Sequence, residues 1–173
     1  MKSIYCISMA SLVLHGCTSF SPAVGPSARA ELQATRGNAV TGHVRFSTLG
    51  QRVRVEGEVR GLQAGQVHGF HIHEKGDCSS GDGLSTGGHF NPQGHSHGAH
   101  GQGQHHAGDL PSLIADAQGM ARFSYESSSI SVGQAANDVI GRGLIVHRDP
   151  DDFKTQPTGN AGPRLACAVI TRD

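Results

Sequence analysis

Residues 52–60 read RVRVEGEVR, in which polar and apolar side chains alternate. A period of two residues is typical of a β-strand with one buried face. Other short runs with strand character lie on both sides of this segment, and Gly-containing turn signals separate them. These runs cover residues 28–35, 39–47, 67–73, 121–126, 143–147 and 165–171. Because no stretch has a sustained helical repeat, the chain is predicted to be an all-β sandwich or barrel of seven or eight short strands.

Two connections between the predicted strands are long. One runs from Glu74 to about Met120, and the other runs from Arg148 to Arg164. Long loops without structure of their own are usually functional. The sequence therefore predicts two functional loops, and they flank the strand that contains His71 and His73.

The composition favours a turn-rich β-protein. The 173 residues are enough for one domain with a sizeable core. The chain has 25 glycines, about twice the average usage, and only 5% of its residues are aromatic. Fourteen basic and fourteen acidic residues give a net charge of zero, which argues against a nucleic-acid partner or general binding to a membrane surface.

A segment rich in histidine, from Gly69 to Asp109, predicts a metal centre. His71 and His73 are two residues apart on a predicted strand, so their side chains point to the same face. Further candidate ligands follow in a Gly-rich loop: His89, His97, His106 and Asp109. Imidazole suits zinc, copper, iron and nickel, and an aspartate oxygen among imidazoles is common at zinc. We therefore expect one metal ion here, or two.

The N-terminus resembles an export signal. Residues 4–14 form a mostly apolar run, which is too short to span a bilayer but typical of the core of a signal peptide. The following Leu14-His15-Gly16-Cys17 resembles the lipobox of bacterial lipoproteins. We predict a signal peptide at residues 1–16, a lipidated Cys17 as an anchor in a bacterial membrane, and a flexible tether at residues 17–27. The alternative is an ordinary cleaved signal, with Cys17 removed or incidental.

The four cysteines fit this interpretation. Cys6 would leave with the signal peptide and Cys17 would carry lipid, so Cys78 and Cys167 remain as one pair. Disulfides persist in exported proteins, and we predict that these two cysteines form one. Because the closed loop is long, such a bond would add about 4–5 kcal/mol to stability in the chain-entropy model.

Four separated motifs resemble the copper/zinc superoxide dismutase family, in its bacterial exported branch. They are GFHIHEKGDC at 69–78, GHFNP at 88–92, HAGDL at 106–110 and GNAGPRLAC at 159–167. The resemblance extends over residues 28–173, which would form the enzyme domain. It implies a Greek-key β-barrel of antiparallel strands, located in the periplasm or cell envelope.

The resemblance also implies the ligands of two metals, with His89 shared between them. The copper ligands would be His71, His73, His89 and His147. The zinc ligands would be His89, His97, His106 and Asp109. The implied reaction is the dismutation of superoxide to oxygen and hydrogen peroxide by a redox-cycling copper, in which His89 picks up a proton.

Other residues have roles implied by the same resemblance. Arg164 would attract and hydrogen-bond the superoxide anion beside copper. Asp151 would link His71 to His97 and so fix the orientation of both rings. His68, on the opposite strand face, would tie the loops together by hydrogen bonds.

Several alternatives remain open at the level of sequence. The first alternative is an exported storage or delivery protein, which would bind copper and zinc on the same fold without catalysing a reaction. The second alternative is a structural domain, in which zinc would only order a loop. The surplus His95, His100 and His105 would belong to a solvated loop or would capture metal for the main site. The sequence leaves open whether the chain is a monomer or a homodimer.

Overall fold

The computed structural model describes residues 25–173. The predicted signal peptide and Cys17 lie outside the described residues, and the first strand begins at Ser27, the last residue of the predicted tether. Ten strands and one 3-10 helix, Leu84–Thr86, are found in the described part of the chain. The strands are β1 Ser27–Ala34, β2 Thr41–Leu49, β3 Arg52–Arg60, β4 Val67–His68, β5 Phe70–His73, β6 Leu113–Ile114, β7 Met120–Ser127, β8 Gly143–His147, β9 Arg164–Val169 and β10 Thr171–Arg172. Within residues 25–173, no helix has the length and apolar character needed to span a membrane.

One antiparallel sheet makes up most of the fold. Its strands follow the order β5-β8-β9-β1-β2-β3-β7, with β10 also paired to β1, so that eight strands belong to it. The sheet curls into a half-barrel, and the short strands β4 and β6 pair separately. The predicted all-β barrel of about eight antiparallel strands is confirmed.

Two predicted strands are broken where the backbone bonds to other segments. The run 67–73 is interrupted at Gly69, whose N–H donates to the carbonyl of Asp149 over 2.9 Å. The run 165–171 is interrupted at Ile170, whose N–H donates to the carbonyl of Arg142 over 2.9 Å. Both interruptions lie where a long loop or turn meets the sheet, so tertiary contacts override the local strand pattern.

The core lies inside the curl of the sheet. In β3 the inward positions alternate as predicted, and Val53, Val55 and Val59 are buried. Gly57 occupies the remaining inward position, where a Cβ atom would overlap the carbonyl oxygen of His43 in β2 and would also lie 3.1 Å from the ring of Phe123. The Phe123 ring packs edge-on against buried Phe70, with 5.4 Å between centroids. Glycine at position 57 therefore allows the backbone of β2 to approach closely, next to this aromatic pair.

Candidate metal centre

Strand β5 presents two buried histidines on the face opposite to the core. Phe70 and Ile72 pack into the core, so His71 and His73 face the long loop. That loop returns to β5 and forms single bridges from Asp109 to His71 and from His89 to His73. Because β5 is an edge strand, the loop also satisfies backbone groups that would otherwise be unpaired.

Four buried imidazoles form a first cluster around β5. They are His71, His73, His89 and His147, and one potential ligand atom of each lies within 4.8 Å of those of the others. The nitrogens Nδ1 of His71 and Nε2 of the other three have no hydrogen-bond partner among the described residues. Buried polar atoms are nearly always partnered, so four converging unpartnered nitrogens indicate a ligand set. Four nitrogen donors suit the tetragonal coordination of Cu(II).

The second nitrogen of each ring in this cluster is already engaged. Nδ1 of His73 donates to the carbonyl of Gly87 over 2.9 Å. Nδ1 of His147 donates to the carbonyl of Gly162 over 3.1 Å. Nε2 of His71 lies 2.7 Å from Oδ2 of Asp151. These contacts orient the rings and fix which nitrogen remains available for a metal.

A second cluster contains three histidines and one carboxylate. Its members are His89, His97, His106 and Asp109, and all are buried. Around Oδ1 of Asp109, the Nδ1 atoms of His89, His97 and His106 lie at 2.8, 3.0 and 3.4 Å respectively. Three nitrogens and one oxygen suit tetrahedral zinc. His89 belongs to both clusters because its two nitrogens face opposite sides.

Asp151 lies between the two clusters. Its Oδ1 is 2.9 Å from Nε2 of His97, and its Oδ2 is 2.7 Å from Nε2 of His71. His68 lies next to the first cluster, where its Nδ1 donates to the carbonyl of His147 over 2.9 Å. The structure therefore brings together every predicted ligand, and it places Asp151 and His68 in contact with them.

Burial and hydrogen bonding set the protonation of the clusters. Burial, with neighbouring positive groups, holds the pKa values of His73 and His147 well below the ordinary range. Burial also lowers the pKa of His89 to about 4, against the opposing effect of Asp109. Neutral imidazole is the form that binds metals, so these three rings are ready to ligate at pH 7.

His97 differs from the other rings because it has two carboxylate partners. Burial favours its neutral form, but hydrogen bonds to Asp109 and Asp151 outweigh burial and raise its pKa to about 9. The pKa of Asp109 is far below its usual range, because hydrogen bonds from the three histidines outweigh the opposing effect of burial. A metal ion that binds the second cluster at pH 7 must therefore displace a proton from His97.

Arg164 lies beside the first cluster. It is half-buried and lines a cavity of about 160 Å³ together with His73 and His147. The cavity is also bounded by Leu84, Thr158, Ala161, Gly162 and Pro163. Arg164 is the only lysine, arginine or acidic side chain in this lining, so the cavity favours a small anion.

The groups that hold Arg164 are not identifiable from the sequence. Its guanidinium donates to the carbonyl of Gly83, to Oγ1 of Thr86 over 2.8 Å and to the carbonyl of Gly87 over 2.8 Å. Main-chain carbonyls carry no residue signature, and a 3-10 helix of three residues is too short for a periodic pattern. Only the glycine-rich character of this segment is visible in the sequence.

The surplus histidines do not form a further cluster. Within residues 25–173, the only groups of three or more metal-binding side chains are the two described above. Nδ1 of His100 donates to the carbonyl of Asp109 over 2.9 Å. Nδ1 of His105 donates to the carbonyl of His106 over 2.8 Å. His95 is exposed. These contacts favour the interpretation of a loop rather than a second capture site.

The predicted disulfide is confirmed. Cys78 and Cys167 are bonded, and they are 89 residues apart in sequence. Cys167 lies in β9, and Cys78 lies in the loop that leads to the turn around Arg164. The bond therefore fastens this loop to the barrel wall.

Comparison with known proteins identifies the family. The family model for copper/zinc superoxide dismutase matches residues 40–170. The Cu-Zn superoxide dismutase of Paramecium bursaria Chlorella virus 1 is 40% identical over 137 residues, which cover 76% of this chain and 72% of the viral protein. A crystal structure described as the clock protein EA4 superposes with a TM-score of 0.77 at 36% identity, over 92% of this chain and 99% of the other. The chain therefore belongs to the copper/zinc superoxide dismutase family and is a superoxide dismutase with copper and zinc as cofactors.

Proposed function

We propose that the first cluster holds copper, that the second holds zinc, and that His89 bridges the two metals. The observation that carries this assignment is the set of four buried imidazole nitrogens of the first cluster that have no hydrogen-bond partner among the described residues. In the second cluster, three imidazole nitrogens converge instead on one carboxylate oxygen of Asp109. The donor sets also differ as the two metals require, with four nitrogens for copper and an additional carboxylate oxygen for zinc.

The residues around the first cluster would have separate roles in the dismutation of superoxide. Copper held by the first cluster would supply the one-electron redox chemistry that dismutation requires, which zinc alone cannot supply. Arg164 attracts the anion into the cavity and hydrogen-bonds it, since a guanidinium keeps its charge even when half-buried. Nε2 of His89 would hold one of the two protons that hydrogen peroxide requires, and the second proton would come from solvent. Asp151 keeps His71 and His97 in their orientations throughout.

Variants that each remove one ligand test the assignment of the metals. We expect His147→Ala to lose copper and dismutase activity but to keep zinc, because His147 belongs only to the first cluster. His106→Ala should lose zinc, and His95→Ala is the control that keeps both metals. The measurement is metal content per chain after reconstitution with both ions, together with a superoxide assay. Loss of zinc rather than copper from His147→Ala would contradict the assignment, and stoichiometric copper without activity in the parent would favour storage or delivery.

We further propose that the enzyme acts in a bacterial cell envelope, as a lipoprotein of the exported branch. The apolar run at residues 4–14 and the lipobox-like segment ending at Cys17 support export and lipidation. The Cys78–Cys167 disulfide agrees with an oxidising compartment, where such bonds persist. In this position the enzyme would remove superoxide at the cell envelope.

Lipidation predicts a specific change in fractionation. In a bacterial host, the full chain should partition with membranes in its processed form, and Cys17→Ala should remain a larger precursor, because removal of residues 1–16 at the lipobox depends on the lipidated cysteine. An inhibitor of lipoprotein signal processing should leave the parent as a larger precursor too and should not change Cys17→Ala. If the parent and Cys17→Ala fractionate identically in size and location, the lipoprotein assignment is wrong.

A further inference from the structure

The turn at residues 83–87 holds the side chain of Arg164. All three hydrogen-bond acceptors described for the guanidinium belong to this turn. Two of them are main-chain carbonyls, from Gly83 and Gly87, and the third is the hydroxyl of Thr86. The position of the positive charge at the cavity therefore depends on the internal structure of one short turn.

Thr86 connects the parts of this turn. Its side chain is fully buried, and its hydroxyl donates to the carbonyl of Gly83 over 2.9 Å. A threonine hydroxyl has one hydrogen, so this bond leaves its oxygen lone pairs for Nη1 of Arg164 at 2.8 Å. The hydroxyl thus holds the Gly83 carbonyl, which accepts from Arg164, and is itself a second acceptor for the guanidinium.

The same turn reaches the first cluster. The carbonyl of Gly87, next to Thr86, accepts from Nη2 of Arg164 over 2.8 Å and from Nδ1 of His73 over 2.9 Å. A displacement of the turn would therefore move the guanidinium relative to a ring that lines the cavity. Asp82 precedes this turn as an exposed acid, and its Oδ1 accepts from the N–H of Leu84 over 2.9 Å.

We propose that Thr86 is a positioning residue, which holds the guanidinium of Arg164 at the cavity so that a small anion binds beside the first cluster. The proposal rests on the role of Arg164 in the proposed function. Thr86 itself does not contact the anion. Its hydroxyl accepts from Nη1 of Arg164, and the guanidinium stays in place because the loss of this acceptor would leave a costly unsatisfied donor.

The test measures anion binding in addition to turnover. Azide is a small anionic probe, and its affinity for the copper- and zinc-loaded protein is obtained from the change in the visible copper band during titration. We expect Thr86→Val, which keeps the shape of the side chain and removes the hydroxyl, to weaken azide binding about tenfold. This is less than the roughly hundredfold loss of reaction rate that a 1 Å misplacement of reacting groups can cause. Thr86→Ser keeps the hydroxyl and should bind azide like the parent.

Arg164→Ala and the double variant Thr86→Val/Arg164→Ala separate positioning from a structural role. If Thr86 acts through Arg164, then Thr86→Val should have no further effect on azide affinity once the guanidinium is absent. Equal effects of Thr86→Val in both backgrounds would overturn the proposal, and so would azide binding unchanged by Thr86→Val. If Arg164→Ala itself binds azide like the parent, the role given to Arg164 fails, and the inference about Thr86 fails with it. Metal content and thermal unfolding of each variant show whether the chain has folded.

Discussion

Replacement of both Cys78 and Cys167 by alanine should lower the free energy of unfolding by about 4–5 kcal/mol. The bond closes a loop across a sequence separation of 89 residues, so its removal returns much conformational entropy to the unfolded chain. A loss of this size is a large share of the total stability of a typical domain, about 5–15 kcal/mol. Alanine avoids placing a hydroxyl at the buried position of Cys167.

Denaturant unfolding of the metal-free protein measures this loss without the contribution of bound metals. Bound ligands stabilise the native state by mass action, so the loaded forms of parent and variant should both unfold later. The parent treated with a thiol reductant is the matched control and should unfold like the double variant. A difference below about 1 kcal/mol would contradict the chain-entropy account of this bond, which predicts several times more.

Gly159→Ala is expected to weaken zinc binding by about 10- to 100-fold, the range found when partners of metal ligands are altered. A Cβ at this position would overlap Oδ1 of Asp151 and lie 2.6 Å from Nε2 of His97. Because Asp151 also bonds His71, the change should disturb both clusters. The measurement is zinc affinity in competition with a chelator, with copper content determined in parallel.

A second glycine, Gly94, serves as a control that distinguishes the effect of this overlap from the effect of backbone strain. Gly159 has φ +63° and Gly94 has φ +69°, so an alanine at either position adopts an unfavourable left-handed conformation. A Cβ at Gly94 would meet nothing within 4 Å. Gly94→Ala should therefore cost about 1–2 kcal/mol of stability and leave zinc affinity unchanged. Equal zinc affinities for the two variants would contradict the role given to the contact between Gly159 and Asp151.

Much of the fold follows from local patterns. The alternation in residues 52–60 identifies a strand whose bounds in the structure are the same. The spacing of His71 and His73 places both rings on one face, because strand parity is a local property. By contrast, β6 is only two residues long and gains its stability by pairing with β4, which no local pattern reveals.

The candidate site was predictable where side chains carry the chemistry and not where the backbone does. The ligand residues are recognisable by type and by their motifs, whereas the carbonyls that accept from Arg164 and His73 are not. Three acids lie close together in the second loop, and composition alone does not distinguish them. The structure separates them because Asp149 pairs with Arg148 over 2.9 Å, while Asp151 lies against two imidazoles.

The small cavity beside Arg164 has a consequence for selectivity by size. Its volume of about 160 Å³ is below the roughly 300 Å³ at which ordinary ligand pockets begin. A diatomic anion fits there, but a bulky chelator or reductant does not. Bulky chelators and reductants are therefore excluded from contact with His73 and His147 through this cavity, so access to the first cluster along this route is selected by molecular size as well as by charge.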